Sequence, residues 1–490
     1  MKKGLILLIF NISFLFAFGN TLQDSEMSLF LDTFETQVEI VEPKEATIVQ
    51  NMKILNIDPA LMSEDYSKRI IPFVYETLFT IDKDGNIEKN LVKDYKWITE
   101  RDLYIKIKDN ILFHNNSKLS AKDVKISLEF LKESGVLNRI YSEIRDIKIQ
   151  SENELIIKIA EEDEIFLNSL TYDISAIVKR DNKGIYGTGK YKVVRSNGKE
   201  RILNRFENFH GKKAKLEKII FTWEIDRNQR LIDFFNGSAN LIANMEEAEI
   251  NEGKKLGIIS PQDIVSPSKV TVTKALIFGK KYNYSLEERR ALDIIIPKKA
   301  KSFFPESFLE ANLSKFKDVN DERELKEFAK KLEKREEIEL MVLNTESDIE
   351  EAHKIKNSLK KYGIKIKILP HNIESYNKKI NSEDYEIAIS NMTTKNNDLP
   401  LLITTILLND VKNINIYNAL IPFFEMLKIE NNSKNREKIV DKMTYLIYQN
   451  VPYIVLDHYK YYTVTTPNFI GLLDEIRKLN SVKGVISNEI

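Results

Sequence analysis

The chain has 490 residues, 74 Lys+Arg balanced by 74 Asp+Glu, and no cysteine. The missing thiols exclude disulfide scaffolds, Cys-ligated zinc, iron–sulfur clusters and thiol nucleophiles, and the zero net charge gives no global reason to expect a nucleic-acid partner. With 42% hydrophobic and 10% aromatic residues, the length fits two or three domains with real cores rather than a disordered chain.

Lys2 and Lys3 precede an almost unbroken apolar run from Gly4 to Phe18, and Ala17-Phe18-Gly19 is a small-x-small cleavage pattern. This reads as a secretory signal peptide over residues 1–19. A membrane anchor is the alternative, but the run of about fifteen residues is short for a bilayer span. Cleavage removes two lysines and no acid, leaving a net charge of −2. Asn20 stands where a bacterial lipoprotein would need its lipidated cysteine. The expectation is an exported protein without a lipid tether, periplasmic or extracellular.

Beyond the leader no 20–50-residue period is visible, which excludes solenoids and propellers. Leu103–Lys108 and Glu154–Ile159 alternate as half-buried strands do. Ser120-Ala121-Lys122-Asp123 reads as a capping box in which the Ser120 hydroxyl takes the amide of Asp123 and the Asp123 carboxylate reaches back. Val124, Leu128 and Leu131 then follow at helical spacing, with Gly135 at the helix stop. Asp321–Glu337 reads as a charged amphipathic helix. A second box, Ser347-Asp348-Ile349-Glu350, predicts a helix to Tyr362, stopped by Gly363, between strands Glu339–Leu343 and Ile364–Leu369. Strand, helix and strand with short joints make a βαβ unit with a right-handed crossover. Asn432–Asn450 reads as a further helix, ended by Pro452 before a buried strand at Tyr453–Leu456. The fold class is therefore α/β, strand-rich to about residue 225 and βαβ-like beyond.

Catalytic motifs mostly fail. Gly184-Ile185-Tyr186-Gly187-Thr188-Gly189-Lys190 has phosphate-loop spacing, but Tyr191 replaces the magnesium-holding hydroxyl and the loop runs into a strand rather than a helix. A tight turn needing glycine dihedrals is the plainer reading. The five histidines (114, 210, 353, 371, 458) show no ligand-like pair, and nothing nominates a nucleophile with its base. Tyr459, Tyr461 and Tyr462 read as a strand with alternate rings in the core, or as a ligand-stacking cluster.

Several separated segments form an ordered set. Asn56-Ile57-Asp58-Pro59-Ala60 is followed by Tyr75-Glu76-Thr77-Leu78-Phe79, Asp82-Lys83-Asp84-Gly85-Asn86-Ile87 and Asn90-Leu91-Val92. Then come His114, Leu119-Ser120-Ala121-Lys122-Asp123-Val124, Gly187-Thr188-Gly189-Lys190-Tyr191, Phe209-His210-Gly211 with Leu216–Phe221, Arg230 with Asn236-Gly237, and Arg290-Ala291-Leu292. The set resembles the bacterial extracellular solute-binding proteins of the oligopeptide-, dipeptide- and nickel-binding group, family 5 of the ABC-importer binding proteins, over nearly the whole chain.

The resemblance implies a two-lobed, periplasmic-binding-protein-like α/β fold with an extra inserted subdomain and a ligand cleft between the lobes. Lobe I would comprise residues 20–65, 185–272 and 460–490, the inserted subdomain 66–184 and lobe II 273–459, with hinges near 270–273 and 456–459. It also implies no catalysis, no cofactor and no bound metal. The partners would be a peptide or another small zwitterionic or anionic solute and the ABC permease subunits in the membrane. No nucleic acid is implied, and the protein would be a monomer. Tyr66, Ser67 and Lys68 are candidate ligand contacts of lobe I. Tyr282 and Asn283, and Asn391-Met392-Thr393-Thr394-Lys395 with Asp398, are candidates in lobe II. Here Met392 replaces the family's Trp, and Lys395 the Asp that pairs with a peptide ammonium. A cation at that place would repel an ammonium and suit a carboxylate or phosphate. Two rival readings are an exported interaction or chaperone-like protein on the same fold, and a secreted metal-dependent hydrolase built from dispersed His and carboxylates.

Overall fold

The computed structural model describes residues 43–62, 65–82, 86–134, 141–160, 164–300, 303, 322–332, 336–394, 414–430 and 432–479. The expected leader, Gly135, Lys395 and Asp398 lie outside them.

Lobe I begins with β1 (Glu45–Gln50). Ile48 and Val49 point into two different cores, as in a central strand covered on both faces. Two single-turn helices follow, α1 (Asp65–Lys68) and α2 (Ile71–Val74), then the hairpin β2 (Phe79–Ile81) and β3 (Ile87–Lys89). The inserted unit is an antiparallel sheet of β4 (Val92–Thr99), β5 (Asp102–Ile107), β6 (Ile144–Ser151) and β7 (Glu154–Ile159) in the order β4-β5-β7-β6. Helix α3 (Ala121–Ser134) adds Val124, Leu128 and Leu131 to the core of Leu103, Ile105, Leu155 and Ile157, and α4 (Glu164–Ser169) adds Phe166. The hairpin β8 (Lys179–Asp181) and β9 (Gly184–Tyr186) leads back to lobe I, which continues with β10 (Tyr191–Ser196), β11 (Glu200–Arg205), β12 (Lys218–Trp223), α5 (Arg227–Phe235), β13 (Leu241–Met245) and α6 (Glu247–Lys255).

Strand β14 (Ile264–Phe278) crosses into lobe II. There follow α7 (Leu286–Ile295), α8 (Glu322–Lys330), β15 (Ile338–Leu343), α9 (Glu346–Lys360), β16 (Ile366–His371), α10 (Ile373–Ser382), β17 (Ile387–Thr394), α11 (Ile414–Ile429) and α12 (Ser433–Asn450). Strand β18 (Tyr453–Thr465) crosses back, and α13 (Ile470–Leu479) packs Leu472, Leu473 and Ile476 into the lobe I core. Apart from the inserted sheet and the two hairpins β2-β3 and β8-β9, all the described strands join one ten-stranded sheet, in the order β10-β11-β12-β1-β13-β18-β14-β17-β15-β16. Between the lobes the β14–β18 pairing is irregular: Pro267 opposes Tyr462 and the next pair is Thr271 with Lys460. Residues 268–270 thus stand against Tyr461 alone, a bulge that bends and twists the pair.

The structure corrects several local expectations. Helix α9 starts earlier than the Ser347 box predicts, because Thr345 accepts the Asp348 amide at 3.2 Å and takes the cap. Ser347 is thereby free to meet Lys274. At α3 the Asp123 carboxylate does reach the Ser120 amide (2.9 Å), but the Ser120 hydroxyl donates to that carboxylate (2.6 Å) instead of accepting an amide. Helix α8 stops at Lys330, short of Glu337, and the buried strand expected at Tyr453–Leu456 runs on to Thr465. In the Gly184–Lys190 turn, Gly184 holds the expected glycine dihedral, φ +153°, but the other two glycines serve a different purpose. Gly187 and Gly189 have ordinary φ, but a Cβ on Gly187 would sit 2.0 Å from the Val74 carbonyl oxygen, and one on Gly189 2.6 Å from the Val74 carbonyl carbon. They are needed for room.

Candidate ligand-binding cleft

In lobe I, β1, β12 and β13 are parallel, and Met245 at the end of β13 pairs with Tyr462 next to the lobe junction. In lobe II, β15, β16 and β17 are parallel, and β17 ends with Thr394 opposite Thr271, at the same junction. The carboxyl ends of both sets of strands therefore converge on the gap between the lobes, where open α/β sheets bind ligands.

Lys274 lies in this gap. It is buried on β14, with Nζ 3.0 Å from Asp348 Oδ1 and 2.9 Å from Ser347 Oγ, both on the first turn of α9. Burial disfavours its charge, but the Asp348 carboxylate, and Glu246 from lobe I, outweigh that and raise the ammonium pKa. The same ammonium lies 5.6 Å from the centroid of the Tyr459 ring. The Tyr459 hydroxyl reaches Asn391 Oδ1 at 3.3 Å and the Tyr461 hydroxyl at 3.2 Å, the two rings meeting edge to face at 5.3 Å. Burial, then Tyr461, Glu246 and Asp348, push the Tyr459 phenol well above its usual range. It stays a neutral hydrogen-bonding group.

Lobe I presents the Arg69 guanidinium, which donates to Gln50 Oε1 at 2.5 Å and to Asn244 Oδ1 at 2.6 Å. Asn244 holds φ +59° within β13, a left-handed conformation that Asn tolerates better than most residues. Its amide turns to Asn51 Oδ1 at 3.4 Å. Glu246 follows at the head of α6, half-buried, and accepts an amide of that helix's first turn. The gap is thus lined by cations and carboxylates from both sides, with amides and phenols between them. Such a surface suits a small solute that carries charge and hydrogen-bonding groups.

The structure brings together only part of the sequence-derived set. Asn391 joins the Tyr459 cluster. Met392, on the opposite face of β17, is buried with Leu420 and Phe424. Thr393 and Thr394 supply backbone opposite Val272 and Thr271. Ser67 and Lys68 are buried; Ser67 Oγ accepts the Leu55 amide at 3.0 Å, and the Tyr66 carbonyl accepts from Gln50 Nε2 at 3.2 Å, so α1 braces the chain after β1. Tyr282 and Asn283 lie past the far end of β14, roughly 17 Å or more along the strand from Thr273. There the Tyr282 hydroxyl donates to Glu288 at 2.7 Å and its ring packs on Tyr284 at 4.7 Å. Lys274, Glu246, Asn244 and Arg69 were not singled out from the sequence. A lone lysine inside Val270–Phe278, a stretch otherwise of Val, Thr, Ala, Leu, Ile and Phe, was the available signal for the first.

Among the described residues no group of three or more His, Asp or Glu could hold a metal ion, and no helix is long and apolar enough to cross a membrane.

A family model for the middle region of the bacterial extracellular solute-binding proteins, family 5, matches residues 86–413. The nickel-binding protein NikA of Staphylococcus aureus is 29% identical over 235 residues, 45% of this chain and 45% of that protein. The match thus spans less than half of that relative. Among solved structures, S. aureus NikA with Ni(L-His)2 is 20% identical and superposes with a TM-score of 0.69, covering 86% of this chain and 95% of that one. DppA from Helicobacter pylori with the peptide STSA gives 18% and 0.71, covering 86% and 94%. The murein tripeptide binding protein MppA of Escherichia coli gives 14% and 0.73, covering 90% and 97%. At these identities the likeness is one of fold.

Proposed function

The chain belongs to the bacterial extracellular solute-binding proteins of family 5, and on that premise we propose that it captures a peptide or a similar small charged solute between its lobes and delivers it to the permease of an ABC importer. The supporting observation is the pair of strands β14 and β18, which run through both lobes beside a polar gap built by the strand ends of each. We take the bulge at residues 268–270 opposite Tyr461 as the hinge. The solute favours the closed state because only there do both lobes touch it. Lys274, Tyr459, Tyr461 and Asn391 form the floor of the site, and Glu246, Asn244 and Arg69 its lobe I wall. Lys395, in place of a family Asp, selects against a free peptide ammonium. The protein works without catalysis, as an exported monomer.

A second reading follows from the NikA relative: the solute is a metal chelate whose donors come from the chelating molecule. Mass spectrometry of small molecules released from the purified protein, followed by calorimetry with short peptides and with nickel plus L-histidine, separates the two. A protein that carries nothing and gives no heat with either class would overturn the transport reading and favour an interaction role. Lys395→Asp is expected to strengthen binding of free-amine peptides in the same titration. No change would remove Lys395 from the site.

A further inference from the structure

Among the described residues, two ion pairs connect the lobes away from the polar floor. Lys53, three residues past β1, lies 2.8 Å from Glu374 in the first turn of α10. Arg227, at the start of α5, lies 3.2 Å from Glu346 at the start of α9. From the β14–β18 pair, β1 and β12 are the second and third strands on the lobe I side beyond β13 and β1 respectively, while β15 and β16 lie beyond β17 on the lobe II side. The sheet order thus carries these strands away from the hinge in opposite directions. Their end residues meet only because the two halves fold toward each other about the junction. With strands about 4.8 Å apart, the charged residues sit on lever arms of roughly 10–15 Å. Opening separates them, while Lys274–Asp348, wholly within lobe II, stays together.

We propose that Lys53–Glu374 and Arg227–Glu346 form an electrostatic latch that sets the open–closed balance of the empty protein, and through it solute affinity, without touching the solute. Only the affinity consequence rests on the solute-binding reading. The polarity is consistent: both cations come from lobe I, and both carboxylates stand at helix N-termini of lobe II, where the helix dipole favours negative charge. All four side chains are between 31% and 55% exposed, so the pairs form and break without burying an uncompensated charge. The two pairs are not equivalent. Arg227 keeps a second carboxylate in its own lobe, Glu252 at 3.7 Å, when the lobes part. Lys53–Glu374 is therefore the stronger determinant of closure.

The chain has no cysteine, so Lys199→Cys and Lys360→Cys, on exposed sites of lobe I and lobe II, allow specific labelling with a dye pair. Single-molecule energy transfer on dialysed, solute-free protein then reads closure directly. Lys53→Glu is expected to lower the closed-to-open ratio roughly two- to fivefold, and adding Arg227→Glu to lower it further. Raising the salt to about 1 M should shift the unsubstituted protein the same way. Lys53→Glu combined with Glu374→Lys should restore the closed population, which a folding defect would not do. Unchanged distributions in Lys53→Glu, or failure of the swapped pair to restore them, would overturn the latch, whatever solute the protein takes.

Discussion

The contact of the inserted sheet with lobe I and the contact of lobe I with lobe II are built differently. Where the inserted sheet meets lobe I, the partners are buried and close. Arg180 grips the buried Asp58 with two hydrogen bonds of 2.8 and 2.7 Å and lies 4.0 Å over the Phe130 ring. His114 donates from Nε2 to the Gly189 carbonyl at 2.9 Å, and the backbones of Gly187 and Gly189 press on Val74. Ala176 and Val178 share a core with Val74 and Tyr75. Where lobe I meets lobe II, no hydrophobic cluster of the described residues spans the gap; half-exposed ions and polar groups meet instead. A contact that excludes water and shares a core resists separation, whereas one made of solvated ion pairs opens at little cost. The first contact is the fixed one.

The sharpest break of that contrast is Gly187→Ala. The added carbon meets backbone that no rotamer change can move, at a cost of about 3 kcal/mol, read as a lower urea midpoint with unchanged slope. Arg180→Met leaves Asp58 buried without its partner. Because Arg180 is partly exposed, the expected loss is about 2–3 kcal/mol, below the range for a fully buried pair.

His114 sharpens the comparison through pH. Burial holds its pKa down at about 4, against the favourable Gly189 bond and Glu76. The folded pKa lies below the unfolded one, so the unfolded chain takes up the proton first. Stability is therefore lost as pH falls from about 6.5 to about 4 and then levels off, with a loss of about 2 kcal/mol at pH 5. His114→Gln keeps a donor but cannot titrate, so its urea midpoint should change less than that of the unsubstituted protein between pH 7 and pH 5. An equal change would show that His114 is not the group responsible. The smallest effect belongs to the movable contact. Lys53→Ala should leave the melting temperature within about 2 °C while shifting closure, since an exposed pair contributes at most about 1 kcal/mol.

Much of the architecture could be read from local pattern. The alternation of Leu103–Lys108 and Glu154–Ile159, the βαβ around Gly363 and the helix capped by Asn432 all recur as elements. These signals are local: hydrophobic period, a cap, a glycine stop with φ +79°. The ordered motifs led to the right family because they sample many places along one fold. The cleft was harder to see. Its proposed floor joins Lys274, Asn391, Tyr459 and Tyr461, residues of three strands far apart in the chain and set side by side only by the register of β14 with β17 and β18. The Thr345 cap shows the same limit on a smaller scale. Two hydroxyls could start α9, and Lys274, 73 residues upstream of Ser347 in the chain, holds the one that the cap does not use.

The position of β18 has a consequence for how the chain is made. Among the described strands it is the last in sequence, yet it lies in the middle of the ten-stranded sheet, between β13 and β14. Neither half of that sheet can be completed before Thr465 has emerged, whereas the inserted sheet needs only residues 92–159. Pairings so distant in sequence are slow to form. During synthesis the inserted unit can fold early and locally, while the rest of the chain stays open until almost its whole length is available. If the chain is exported as proposed, a topology that delays completion keeps most of it in a form that can still be threaded across a membrane.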